Sequence, residues 1–193
     1  MGSIILASQS KGRRELLENE GLPITCLPAD IDEAIPWVDP PREIQTLAEK
    51  KALACHAQHP ERPEKWIIAA DTLVVFEGKP IGKPADRAEA KAFLQALSGK
   101  VHTVISGVAF LDRATGRLYS ANDTSEVHFK TLSEADIENY LQTGEWQGAA
   151  GAYRIQHKGA ALVEKTVGSF SNIIGLPLNK LFNIMHDAGY PAD

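Results

Sequence analysis

Asp71 closes an apolar run, Trp66-Ile67-Ile68-Ala69-Ala70, and Lys83 follows a short distance on in Gly82-Lys83-Pro84. The run has the continuous apolar character of a buried strand, and the end of such a strand is where open α/β sheets place their chemistry. An unpaired carboxylate is costly there, so Asp71 needs a cation. Leu73-Val74-Val75-Phe76, Glu77-Gly78 and Lys79-Pro80-Ile81 read as strand, tight turn and short return, which can carry Lys83 back beside Asp71. Such a pair either ties a hairpin together or marks a functional site.

Ser8, Ser10, Arg13 and Arg14 lie in a polar loop between an apolar strand, Ile4-Ile5-Leu6-Ala7, and a helical pattern stopped by Gly21. Backbone N–H groups and the dipole at a helix start favour an anion, and two arginines strengthen that preference. Lys51 falls on the apolar stripe of a long helix, with Ile44, Leu47, Ala54 and Ala57 at helical spacing, an unusual place for a lysine. Asp30, Asp32 and Glu33 crowd one acidic loop. Cys55, His56 and His59 lack a second Cys/His cluster to complete a zinc site, and are expected on a solvated helix surface. A Walker phosphate loop needs G-x-x-x-x-G-K-S/T, which the chain lacks.

The elements that must position these groups follow from periodicity and punctuation. Strands are expected over 24–27 and, as a long pair joined at Ala114-Thr115-Gly116, over 102–112 and 117–131. Pro40-Pro41 open the helix over 42–58, Asp86 with Glu89 caps one running to Leu97, Ser133 caps one running to Leu141, and a last helix spans 177–188. His102 opens a strand after a turn, a structural position, and the segment 168–178 reads as turn and support.

The 193 residues, 44% of them hydrophobic, suffice for a substantial core in one domain. Two cysteines form no disulfide framework and suit a reducing cytoplasm. The first apolar strand is too short for a signal peptide or a membrane span. A net charge of −5 disfavours a nucleic-acid polymer as partner while leaving room for a basic pocket that takes one nucleotide.

In order along the chain, Leu6-Ala7-Ser8-x-Ser10 with Arg13, Leu47-Ala48-x-x-Lys51-Ala52, Ala70-Asp71-Thr72, Gly82-Lys83-Pro84, Leu97-Ser98-Gly99-x-x-His102, Gly151-Ala152-Tyr153-x-Ile155-Gln156 and Gly168-Ser169-Phe170-Ser171-Asn172 running into Gly175-Leu176-Pro177-Leu178 resemble the Maf-type nucleotide pyrophosphatases. That resemblance implies one domain over 1–193: a mixed α/β fold with an elongated central sheet flanked by helices, two lobes around a cleft, and an architecture like that of the inosine-triphosphate pyrophosphatases. It implies hydrolysis of a nucleoside triphosphate to the monophosphate and pyrophosphate with Mg²⁺ or Mn²⁺, in a housecleaning role, and it allows for a homodimer. Carried over position by position, Asp71 is the catalytic proton acceptor. Glu33 and Asp71 are the metal ligands, since hard cations prefer carboxylates and water, with Asp30 and Asp32 competing for the place of Glu33. Arg13, Lys51 and Lys83 clamp the triphosphate while Ser8 and Ser10 donate to it.

Thr72 and Gln156 resemble the pyrimidine-selecting branch at two base-selecting positions, whereas Lys11-Gly12 depart from the pattern. Gly12 removes a side chain at a selecting position, so a looser pyrimidine preference is expected. The family's older name supplies an alternative from another class, a nucleotide-binding regulator of cell division with incidental hydrolysis.

Overall fold

The computed structural model describes residues 3–191. In chain order the elements are β1 (Ile4–Leu6), α1 (Lys11–Asn19), β2 (Ile24–Cys26), α2 (Pro40–Gln58), β3 (Trp66–Phe76), β4 (Lys79–Ile81), α3 (Arg87–Leu97), β5 (Val101–Asp112), β6 (Arg117–Phe129), α4 (Glu134–Leu141), β7 (Val163–Val167), α5 (Phe170–Ile174) and α6 (Leu178–Asp187). Among the described residues these seven strands form one sheet in the order β2-β1-β3-β5-β6-β7, with β4 paired to β3. The mixed α/β class holds. No helix among the described residues is long and apolar enough to cross a membrane.

The chain folds as two compact units: residues up to 72, 106–123 and from 175 on make the first, and 73–105 with 124–174 make the second. In the first, β1 pairs in parallel with both β2 and β3, so α1 and α2 are the crossovers that parallel strands require. Successive strand residues point to opposite faces, and the core divides accordingly. Ile4, Leu6, Ile68 and Ala70 pack with Leu17 of α1 and with Leu181, Ile184 and Met185 of α6. Ile5, Ala7, Ile67 and Ala69 pack with Ala48, Ala52 and Cys55 of α2. α2 lies unusually close to the sheet: a Cβ on Gly107 would stand 2.4 Å from the Ile44 carbonyl oxygen and 2.6 Å from Gln45 Cα. Only glycine at 107 permits that approach.

The second unit holds a separate core in which α3, α4 and the Val74–Ile81 hairpin pack with Phe129, Tyr153 and Ile155. The hairpin is as expected, with Val74 opposite Ile81 and Phe76 opposite Lys79. Its two turn residues, Glu77 and Gly78, have φ of 50° and 73°, the positive pair of a type I′ turn. Asp86 and Ser133 cap α3 and α4 as anticipated, each side chain accepting a backbone N–H three residues on, at 2.9 and 3.2 Å. His102 is buried, with Nε2 2.7 Å from the Tyr153 hydroxyl and its ring edge-on to Tyr153 and Phe129. This is the structural role its position suggested, and burial holds its pKa down at about 4.

Several expectations need correction. The run 66–70 does not end before Asp71: β3 is one continuous strand of 11 residues, and Asp71 sits in its middle. Thr72 and the residues from Leu73 to Phe76 are good strand formers, so one polar position does not stop the strand. The stretch from Lys11 to Arg14 is not loop but the first turn of α1, because Ser10 caps it by accepting from Arg13 N. β6 ends at Phe129 rather than 131. Cys55 is in the core and not on a solvated surface, its thiol 3.4 Å from the Leu27 carbonyl oxygen. β7, just before the stretch 168–178 read as turn and support, and α5, within it, are regular elements.

Candidate active site

The strand alternation that divides the core also divides the polar residues of the first unit. Asp71 continues the Ile67, Ala69 side of β3 and so faces α2, whereas Thr72 continues the Ile68, Ala70 side and faces α1 and the start of α6. The side-chain contacts follow this division.

On the α2 side, Lys51 Nζ stands 2.8 Å from Asp71 Oδ2 and 2.6 Å from Glu33 Oε1. Lys51 is therefore on the apolar stripe because it reaches over the end of that core to a carboxylate. Its side chain is 10% exposed and that of Asp71 13%, while Glu33 is 59% exposed. Asp71 Oδ1 also accepts the Thr72 backbone N–H at 2.8 Å, which fixes the carboxylate's orientation. Of the three acids in the loop after β2, it is Glu33 that meets Lys51. Asp32 is occupied locally, its Oδ1 accepting Ala34 N–H at 3.0 Å.

On the opposite side, Arg13 donates through three different nitrogens. Nη1 reaches Ser8 Oγ at 3.1 Å, Nη2 reaches Thr72 Oγ1 at 2.9 Å, and Nε reaches the Gly175 carbonyl oxygen at 2.8 Å. Ser8 Oγ also accepts Ser10 N–H at 3.1 Å. Thr72 Oγ1 lies 2.9 Å from Ser106 Oγ and 3.2 Å from the Gly175 oxygen. Burial lowers the pKa of the Arg13 guanidinium, and the charges of Asp71 and Glu33 oppose that shift. The same two carboxylates thus act on Lys51 by contact and on Arg13 through space. A guanidinium carries five N–H donors, so two remain beyond those used among the described residues, enough for a bidentate grip on one phosphate.

Gly175 and Ser106 are the members that sequence reasoning missed. Gly175 has φ of 121°, and a Cβ there would lie 3.2 Å from Thr72 Oγ1 and 3.5 Å from Arg13 Nε. Its position in the motif leading to Pro177 was the available signal. Ser106 is fully buried in the middle of β5 and was readable only as strand.

Gly12 is buried in the first turn of α1, next to Arg13. The remaining expected residues belong to the second unit. Lys83 is exposed just after β4, where the preceding Gly82 carbonyl oxygen accepts Gly151 N–H at 3.1 Å, and Gln156 is partly buried after Ile155 of the second core.

The sequence model of the family described as "Maf-like protein" matches residues 3–188. The chain belongs to the Maf-like family. Among curated Maf-like relatives, a protein of Lacticaseibacillus casei is 44% identical over 94% of this chain and 97% of its own length. One of Pelotomaculum thermopropionicum is 40% identical over 98% of each chain, and one of Symbiobacterium thermophilum 40% over 99% of this chain and 96% of its own. All three are named dTTP/UTP pyrophosphatase. Among solved structures, a nucleoside-triphosphatase (dITP/XTP pyrophosphatase) of Mycobacterium abscessus aligns with 67% of this chain and 75% of its own at 12% identity and a TM-score of 0.36, a likeness too loose to bear weight.

Proposed function

We propose that this Maf-like protein hydrolyses pyrimidine nucleoside triphosphates of the dTTP/UTP class to the monophosphate and pyrophosphate, clearing unwanted or modified nucleotides from the precursor pool. One observation carries the reading: Asp71 and Glu33 share the Lys51 ammonium in a chain 40% or more identical, over nearly its whole length, to relatives named dTTP/UTP pyrophosphatase. Those names describe enzymes, which favours hydrolysis over a regulator of cell division that merely binds nucleotide.

Asp71 is the proposed proton acceptor for the attacking water. It is nearly buried, anchored by the Thr72 N–H through one oxygen and by Lys51 through the other, so it does not need to reorganise as charge develops. Arg13 would take phosphate oxygens with its two unspent N–H groups, Ser8 and Ser10 would line the same approach, and the third Lys51 donor is available to the departing pyrophosphate. Lys83 is proposed as a further phosphate cation, and Gly12, Thr72 and Gln156 as residues that set base preference. These roles rest on their motif positions. The two units are proposed to serve as one catalytic domain, in the cytoplasm, where the two free cysteines stay reduced. A homodimer is compatible with this reading.

The donor chemistry fits Mg²⁺ or Mn²⁺. Glu33 Oε1 and Asp71 Oδ2 both touch one ammonium, so they are no farther apart than the sum of those two contacts, and the largely exposed Glu33 would have to draw in to share an ion held at about 2.1 Å. Both are hard oxygen donors, and no group of three or more His, Cys, Asp or Glu is poised as a closed site among the described residues. Two carboxylates with water and substrate phosphate completing the shell suit these ions. Such a cation, when bound, would lower the pKa of water and screen phosphate charge.

The test is product analysis. Wild type and Asp71→Asn are incubated with Mg²⁺ or Mn²⁺ and a panel of ordinary, methylated and deaminated triphosphates, with pyrophosphate and orthophosphate assayed separately. Pyrophosphate with monophosphate, highest for dTTP and UTP and abolished in Asp71→Asn, supports the reading. Orthophosphate as the product, or turnover that survives the substitution, overturns it.

A further inference from the structure

The acidic segment that carries Glu33 is attached to α2 at three places. Gln58 Nε2 donates to the Asp30 carbonyl oxygen at 3.3 Å, Lys51 Nζ meets Glu33 Oε1 at 2.6 Å, and the Glu43 carboxylate accepts three consecutive backbone N–H groups. Its Oε2 takes Trp37 N–H at 3.0 Å, and its Oε1 takes Val38 and Asp39 N–H at 2.9 and 3.2 Å. Glu43, Lys51 and Gln58 are each about two helical turns apart, so they lie along one side of α2. The segment runs past them in the opposite direction, from Gln58 to Glu43, and Glu33 is held at the middle point.

The Glu43 attachment is the one that packing cannot replace. Val38 is 85% exposed and Trp37 38%, so little apolar contact fixes this end. Trp37 has φ of 63°, a left-handed conformation that a bulky side chain adopts only at a cost. Such a conformation persists where its surroundings over-determine it, and three convergent N–H groups on one carboxylate do that here.

We infer that Glu43 is a positioning residue for Glu33: by gathering the Trp37, Val38 and Asp39 amides it fixes the left-handed turn through which the acidic segment enters α2, and so directs the segment back along the helix and holds the Glu33 carboxylate within reach of the cation site. This rests on the proposed metal role of Glu33, so its test uses readouts that do not need turnover. Outer contacts that orient a metal ligand typically govern affinity by a factor of ten or more.

The experiment compares wild type, Glu43→Ala and Glu43→Gln without nucleotide. Amide hydrogen exchange is followed at Trp37, Val38, Asp39 and Ala34, with the Ile67 and Ile68 amides as folding controls, and Mn²⁺ binding is followed by electron paramagnetic resonance. In Glu43→Ala the Trp37–Asp39 amides are expected to exchange at least about tenfold faster, Ala34 to accelerate with them, and Mn²⁺ affinity to fall about tenfold. Glu43→Gln, which keeps one acceptor oxygen, falls between the two. Faster exchange at Trp37–Asp39 with Ala34 and Mn²⁺ affinity unchanged would overturn the inference, because the tether would then end short of Glu33. Failure of wild type to release pyrophosphate overturns the proposed reaction instead and leaves these two readouts to judge Glu43. Accelerated exchange at Ile67 and Ile68 marks a misfolded variant, and Glu43→Gln then decides by the same two criteria.

Discussion

Replacing Lys51 with methionine removes the cation that two carboxylates share while keeping the stem that crosses the core. The two contacts are unequal. Glu33 is 59% exposed, so its loss of a partner at 2.6 Å is worth about 1 kcal/mol at most. Asp71 is 13% exposed and loses its partner at 2.8 Å. A nearly buried charge stripped of its partner costs about 3–5 kcal/mol. The positive charge of Arg13 also acts on Asp71, so the lower end, about 3 kcal/mol, is expected. For a chain of this length that is a fall in Tm of about 6–12 °C. The pair is isolated by a double-mutant cycle in urea at pH 7: Lys51→Met, Asp71→Asn and the combination. With Asp71 neutralised, Lys51→Met strands only the exposed Glu33, and the double variant should regain about 2 kcal/mol over Lys51→Met alone. Additive losses in the cycle, or a Lys51→Met cost below about 1 kcal/mol, would refute the reasoning that Lys51 compensates a nearly buried Asp71.

Gly175→Ala puts a Cβ 3.2 Å from Thr72 Oγ1 at φ of 121°, so it should cost about 1–3 kcal/mol and raise KM for dTTP by disturbing the Arg13 seat; denaturant titration and initial rates check both. Gly12→Arg should sharpen the preference for pyrimidine triphosphates, read as the ratio of kcat/KM for dTTP to that for dGTP, and an unchanged ratio removes Gly12 from the selecting set. His102 stays neutral when folded, with a pKa of about 4 against about 6.5 unfolded, so the unfolded state binds more protons between those values. Stability should therefore fall by about 3 kcal/mol as pH drops from 6.5 to 4, and His102→Gln should flatten that slope in pH-dependent urea titrations.

The parts of this molecule set by local pattern were legible in its sequence. Capping signals placed α3 and α4, and the Glu77-Gly78 turn placed β4. Neither polarity at Asp71 nor the glycine at 12 interrupts β3 or α1. Thr72 and the residues after it favour a strand, and the Ser10 cap offsets the cost of Gly12 in the first turn. Cys55 extends the Ile44, Leu47, Ala48, Ala52 stripe, so its spacing marks it as core despite the neighbouring histidines. β7 carries the strand formers Val163, Thr166 and Val167 but no apolar–polar alternation, so its sequence alone marks it weakly. In the site, Asp71, Lys51 and Arg13 came from residue types and motif order. The contact of Arg13 with the Gly175 carbonyl joins positions 162 residues apart, and no periodicity encodes it.

Asp71 and Thr72 are neighbours in the chain, yet their side chains leave opposite faces of β3, one turned to Lys51 of α2 and the other to Arg13 of α1 and the Gly175 carbonyl. Mutation can therefore explore them separately: a new side chain at 72 meets Arg13 and Gly175 and leaves the contact of Lys51 with Asp71 in place, so the grip on substrate can drift while the seat of the acid stays fixed. Insertions and deletions have no such freedom. A single residue gained or lost within β3 before Asp71 would turn the carboxylate toward the arginine and the hydroxyl toward the lysine, and would invert every core residue between them. The length of the stretch from Trp66 to Asp71 should thus be under tighter constraint than the identity of any one residue within it.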